Sequence, residues 1–401
     1  MDLHSGLPFW LVKNGILEDY PQLSKNTKCH VVILGGGITG ALQAYFLIKA
    51  GIQCIIVEKR SIGLGSTCAS TALLQYQIDT KLIHLIEKVG AKDAIRSYKL
   101  CAESIEIIEN ISKEIDHKEF KRVQTLFYAS HTKHVKDLKK EYEVHKENGF
   151  NVNYLSKGDL KKNYGINKSG GIESFHSAQI DAYKFCNQIL EFCKLKGLEI
   201  YDRTDVVHIE HHKDQVILKT NGGHTIEADW LIYATGYEIT NYIDKNIVKL
   251  NTTWAVVSEQ LENKQVKLWN NKALIWETAE PYLYMRTTRD NRIMIGGEDE
   301  QMNDPRKRAL KMNNKTDRIL KKFNKLFPEI KFKPEFQWAG TFGTTKDGLP
   351  YIGTYQNKPR GLFALGFGGN GITFSIIGSE INRDIILGKN NKDRHIFRFD
   401  R

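Results

Sequence analysis

A chain of 401 residues, 41% hydrophobic and 26% charged, is long enough to bury one or two sizeable cores, which excludes a disordered or fibrous chain. No apolar run reaches the roughly 18 to 20 residues a membrane helix needs, and Met1 to Trp10 show no basic-then-apolar leader pattern, so the expected location is the cytoplasm. The net charge of +11 is spread over stretches such as Lys136 to Glu141 rather than gathered into a stripe, which argues for a solvated face and against a nucleic-acid partner.

In chain order, His30 to Leu34 reads as a short buried strand. It is followed by the turn Gly35-Gly36-Gly37-Ile38-Thr39-Gly40, a helix over 41–50 and a second strand, Cys54 to Val57, which together make one parallel βαβ unit. From Lys81 to Ile115 the spacing of Ile83, Ile86, Val89, Ile105, Ile108 and Ile111 predicts helices leaving the first domain. A strand over 125–128, helices over 135–146 and 183–196, and a series of short strands from Leu198 to Ala228 follow. Asp229 to Gly236 reads as a buried strand closing on a small-residue turn, 251–298 as a β-rich excursion, and 361–387 as strand, turn and helix. The expected fold class is α/β: a Rossmann-like cofactor domain with a discontinuous α+β substrate domain. The expected boundaries are 25–80, 151–250 and 336–401 for the first, 81–150 and 251–335 for the second, and 1–24 for an aromatic N-terminal segment.

The six cysteines form no C-x-x-C pair, so neither a disulfide framework nor a metal site is expected. Gly35, Gly37 and Gly40 fit G-x-G-x-x-G between a strand and a helix, where backbone approaches a pyrophosphate. Glu58, at the end of the second strand, is placed to accept from the hydroxyls of an adenosine ribose. Three later stretches select FAD over a nicotinamide. The small and hydroxylated run Gly63 to Leu74, including Ser66, Thr67, Thr71, Ala72 and Leu73, can donate to phosphates and ribityl. Ala234-Thr235-Gly236 lets backbone lie against a cofactor. Gly366 to Gly371, with Gly369 and Asn370, opens a helix through Ile372 and Thr373 whose N-terminal dipole favours negative charge.

These motifs, with Glu58-Lys59, Val206, Trp338-Ala339-Gly340 and Thr345 to Gly353 around Asp347, resemble the D-amino-acid-oxidase-like family of flavoproteins. That family takes in glycine and sarcosine oxidases and amine oxidoreductases acting on gamma-glutamylputrescine. The resemblance implies a substrate domain whose sheet covers the flavin and a reaction in which a carbon-nitrogen bond loses hydride to flavin N5, leaving an imine that water hydrolyses. It further implies a place for Val206 on the adenine side and for Asp347 at the glycine turn or ribityl chain. Non-covalent FAD is expected, because Ala69 and Gly340 stand where some relatives carry the attaching histidine or cysteine.

The family's amino-acid oxidases hold the substrate carboxylate with a cation, since a bidentate guanidinium matches it. Phe342, Gly369 and Thr373 occupy the positions of those cations here. The expected substrate is therefore a primary or secondary amine, with electrons passing to oxygen or another acceptor. The alternatives are a D-amino-acid or N-methyl amino acid oxidase or dehydrogenase and, from a different class, a flavin-containing RNA-modification or binding module. Strand alternation puts Tyr282, Tyr284 and Arg286 on one face, where the tyrosines would sandwich the substrate and Arg286 would anchor a remote acid or support the flavin. A half-exposed sheet face is the plainer reading of the same pattern.

Overall fold

The computed structural model describes residues 1–266 and 269–401, so two positions of the expected 251–298 excursion lie outside the described residues. Among the described residues the strands form two sheets. The first runs in the order Tyr351–Thr354, Gly361–Leu365, Thr225–Tyr233, Thr27–Leu34, Cys54–Val57, Glu199–Tyr201, with Val206–His211 and Val216–Thr220 attached as an antiparallel extension. Its centre is parallel, with Val31 opposite Cys54 and Leu34 opposite Val57. Val31, Val32 and Ile33 are wholly buried, as a parallel strand covered on both faces requires.

The Ile38–Lys49 helix packs against the Ala182–Lys194 and Gly371–Ile386 helices over this sheet. Gly40 lets the start of the Ile38–Lys49 helix lie against its own turn and strand, because a Cβ there would run into the Gly35 carbonyl oxygen.

The second sheet runs His4–Gly6, Pro334–Thr344, Lys249–Ser258, Ile293–Glu300, Tyr284–Thr287, Leu274–Glu277, Lys121–Tyr128, Gly170–Gln179, Leu73–Gln75, with Val152–Ser156 pairing Gly170–Gln179. One face carries the Met312–Leu326 helix, which buries Ile319 and Phe323 against Trp254, Ile293 and Ile295. The other face turns toward the first sheet's glycine turns.

The expected boundaries shift in several places: Leu73–Gln75 and residues 336–344, expected in the cofactor domain, are strands of the second sheet. Residues 151–179 were assigned to the cofactor domain but pair into the second sheet, because the Gly170–Gln179 strand hydrogen-bonds to Lys121–Tyr128. His4–Gly6 adds an edge strand to that same sheet. The Ala91–Glu114 helix, expected in the substrate domain, buries its Ile105, Ile108 and Ile111 face toward the Gly371–Ile386 helix, and Arg96 ties it to Asp393 at 2.8 Å. Among the described residues no helix is long and apolar enough to cross a membrane, and no His/Cys/Asp/Glu group is arranged to hold a metal ion.

Candidate cofactor and substrate site

One long cavity lies between the two sheets. At one end the parallel strands Thr27–Leu34 and Cys54–Val57 deliver Gly35, Gly37 and Glu58 to its wall. Gly35 adopts φ +117, and a Cβ there would collide with the Ala234 carbonyl, so the first and third glycine turns touch only because this residue lacks a side chain. The Glu58 carboxylate accepts from Gly36 N and Arg60 N, each at 2.8 Å. Burial raises its pKa, and those two donors oppose the rise.

Beside it, Glu238 gathers Lys59 at 2.7 Å and Arg60 at 2.9 Å. Desolvation works against its ionisation, but these cations prevail and bring it down to about 2. Glu238 was not singled out from the sequence, where it follows the Ala234-Thr235-Gly236 turn without any motif of its own.

In the middle of the cavity the segment from Ser66 to Leu73 crosses from the first sheet to the second. Trp10 Nε1 donates to the Ser70 carbonyl at 2.7 Å and Trp338 Nε1 to the Ala69 carbonyl at 2.8 Å, so two buried indoles clamp this crossing from outside.

Arg286 does the same from below. Its guanidinium donates to the carbonyls of Thr71 (3.0 Å), Ala72 (2.8 Å) and Ile180 (2.8 Å), and it does not line the cavity. Burial lowers its pKa to about 10, which leaves it charged at neutral pH. The expectation of Arg286 as a group meeting substrate is therefore replaced by one in which it positions the Thr71–Ala72 backbone, because its Nη1 is turned onto three carbonyls and its Nε onto that of Thr287, away from the cavity lining.

At the far end Tyr282, Tyr284, Trp276, Thr253, Phe342, Asp79 and Asp299 meet the Gly368–Thr373 turn. Tyr282 precedes the Tyr284–Thr287 strand, and the two tyrosine rings lie 5.7 Å apart. Asp79 accepts from Gly369 N at 2.7 Å and from the Tyr282 hydroxyl at 3.2 Å. The surrounding walls desolvate it and raise its pKa against the pull of those donors.

Asp299 reaches the cavity through a β-bulge. Gly297 pairs with Trp254 and Glu300 with Thr252, so the Ile293–Glu300 strand holds one residue more than its partner there. Glu298, at φ +59, turns to Lys315 and Lys322 of the helix face, and Asp299 turns to the cavity. Burial pushes Asp299 up to about 7, and its Oδ1 has no hydrogen-bond partner.

Of the residues expected at the cofactor, Gly35, Gly37, Ile38, Thr39, Glu58, Lys59, Ser66, Thr67, Thr71, Ala72, Leu73, Ala234, Thr235, Gly236, Gly369, Asn370, Gly371, Ile372 and Thr373 line the cavity. Three do not. Gly40 is consumed by the packing of its helix on the Gly35 turn. Val206 packs among Leu34, Val57 and Val216 while its neighbour Asp205 takes the cavity wall. Asp347 is held by Arg401, with Nε at 2.8 Å, and accepts from Leu349 N and Thr345 Oγ1, so of its two expected places it takes the turn around Gly348.

The family model for "FAD dependent oxidoreductase" matches residues 30–383. This chain belongs to that family. The flavoenzyme is similar to glycine oxidase of Bacillus subtilis (strain 168), at 24% identity over 92% of this chain and 96% of that one. It is similar also to gamma-glutamylputrescine oxidoreductase of Escherichia coli (strain K12), at 23% identity over 92% and 86%. Its fold matches L-proline dehydrogenase from P. horikoshii with a TM-score of 0.77 at 20% identity, covering 94% of this chain and 98% of that one.

The cavity suits FAD on the flavoenzyme's own chemistry. Neither the Ile38–Lys49 nor the Gly371–Ile386 helix has a side-chain cap from its N-cap residue, so two helix N-termini offer backbone donors to one cavity. The hydroxyls of Ser66 and Thr235, which line it, have no protein partner. Glu58 at its end retains acceptor capacity for a ribose.

Proposed function

We propose that this flavoenzyme oxidises the carbon-nitrogen bond of a primary or secondary amine, with FAD held non-covalently along the glycine turns. The observation that carries the reading is the charge of the tyrosine end. Among the described residues lining the cavity, the cations are Lys59 and Arg60, and both are engaged with Glu238 beside Glu58. Phe342 stands on the covering sheet opposite Asn251, presenting a ring where a carboxylate-binding guanidinium would be needed. A free amino acid would bring its carboxylate to a wall that already holds Asp79 and Asp299, an arrangement that repels it.

Bound FAD would supply the acceptor for the hydride that leaves the carbon beside the amine nitrogen as C–N becomes C=N. The chain's own residues position and desolvate. Tyr282 and Tyr284 line the wall at the far end, Arg286 fixes the backbone from Thr71 to Ala72, and Asp79 and Asp299 make the same end favourable to a cationic ligand. The imine product needs only water to release a carbonyl compound with ammonia from a primary amine or the shorter amine from a secondary one. Anaerobic mixing of the FAD-reconstituted protein with amines and with free amino acids, followed by flavin absorbance, tests the reading. Amines should bleach the flavin; bleaching by free amino acids alone would overturn it in favour of an amino-acid oxidase or dehydrogenase, the activity class of the Bacillus relative.

A further inference from the structure

We propose that the substrate carries a second positive charge, and that Asp79 and Asp299 form the subsite for the ammonium of a diamine or polyamine at the tyrosine end of the cavity. The proposal rests on the amine reading above and narrows it.

Two carboxylates reach this end from unrelated elements, Asp79 from the loop after the Leu73–Gln75 strand and Asp299 from the bulge in Ile293–Glu300. Neither has a cationic partner inside the cavity. Thr253 is a neutral donor beside Asp299, and the cation that acts on it, Lys315, sits on the helix face, where Glu300 holds it at 2.8 Å and the Glu298 carbonyl at 2.7 Å. Asp79 has two neutral donors, Gly369 N and Tyr282, and keeps further acceptor capacity. Asp299 Oδ1 is enclosed with no partner, an arrangement that a donor from a ligand would complete.

Two like charges sharing an enclosed wall raise each other's cost of ionisation, and an entering cation relieves both. One amine nitrogen is not enough. The nitrogen whose carbon is oxidised must give up its ammonium proton first, so it cannot remain the counter-ion of two carboxylates through the reaction. A second ammonium on the same molecule can. The walls fit the chain between the two nitrogens, since Tyr282, Tyr284 and Trp276 present aromatic faces suited to methylenes and to an adjacent cation.

The test uses FAD-reconstituted full-length protein, with n-butylamine against diaminobutane and n-hexylamine against diaminohexane. Readouts are calorimetric binding and the anaerobic rate of flavin bleaching at subsaturating amine. Each diamine is expected to exceed its monoamine by about tenfold or more in both readouts. In Asp79→Asn and Asp299→Asn that ratio should fall toward unity, the diamine losing more than the monoamine. Equal performance of monoamine and diamine in the unmodified protein overturns the dication subsite while leaving amine oxidation standing, as does a ratio that survives both substitutions. Bleaching by amino acids and by no amine overturns the functional reading and the subsite together. Should either variant fail to fold, salt decides on the unmodified protein: the diamine advantage must shrink as ionic strength rises, and an advantage indifferent to salt counts against the proposal.

Discussion

The Tyr282 hydroxyl donates to Asp79 across 3.2 Å, joining the covering sheet to the loop that leaves the glycine-turn domain. Asp79 is also held by Gly369 N, so three separate stretches of chain converge on one carboxylate. Replacing Tyr282 by Phe removes a single neutral-to-charged hydrogen bond, worth about 1.5 to 3 kcal/mol where it is made. The expected outcome is a KM for amine raised roughly three- to tenfold with FAD affinity unchanged. Steady-state kinetics beside a flavin-fluorescence titration checks it, and a lost FAD affinity with normal KM would contradict the assignment of this contact to the substrate end.

Asp299 gives stability a pH dependence with a definite sign. Its folded pKa, near 7, is raised above the ordinary aspartate value, so its contribution is fully present at low pH and is lost as pH rises through about 7. Asp79 and Glu58 are shifted in the same direction, while a hydrogen bond from Thr253 and the charge of Lys315 oppose the shift of Asp299. The melting temperature should therefore fall between about pH 4 and about pH 7, and fall less in Asp299→Asn. Cation binding should run the other way and strengthen over the same interval. Parallel melting profiles for the two proteins would remove Asp299 from this role.

Arg286→Lys separates positioning from direct chemistry. A lysine ends one bond short of the Nη1 position and has no counterpart of Nε, which donates to the Thr287 carbonyl at 3.3 Å, so at least one buried acceptor goes unmet at a cost of about 1 to 3 kcal/mol. Chemical denaturation should show that loss, together with weaker FAD retention, while KM for amine in the flavin-loaded fraction stays put. A fully stable but inactive Arg286→Lys protein would return Arg286 to the reacting group.

At the opposite end of the cavity, Glu58→Gln keeps the shape but removes the charge that accepts from Gly36 N and Arg60 N. Equilibrium dialysis should give about a tenfold weaker FAD affinity. Unchanged affinity would mean the carboxylate serves only the turn.

The glycine turns were legible because their cause is local. Gly35, Gly236 and Gly366 adopt positive φ, and such positions announce themselves at short spacing in the sequence. Most strands were legible too, by apolar runs such as Val31 to Leu34. The acids at the substrate end were not, since Asp79 and Asp299 are 220 positions apart in numbering and obey no period.

One sign was present in the chain. Gly296-Gly297 inside a strand marks a close approach, and a Cβ on Gly296 would collide with the Tyr284 ring. Asp347 shows the reverse failure. The local pattern around it was read correctly, but Arg401, 54 residues on, claims its carboxylate.

The bulge between Gly297 and Glu300 makes the electrostatic character of the pocket a matter of counting. Strand parity alone would aim Glu298 at the cavity and Asp299 at the helix; one additional residue exchanges them. Deleting Asp299, with no amino acid replaced, would turn Glu298, a longer acid, into the pocket and strip Lys322 of its partner. Among relatives of this enzyme, the length of this strand would then be as telling a marker of substrate choice as the identity of any side chain in it.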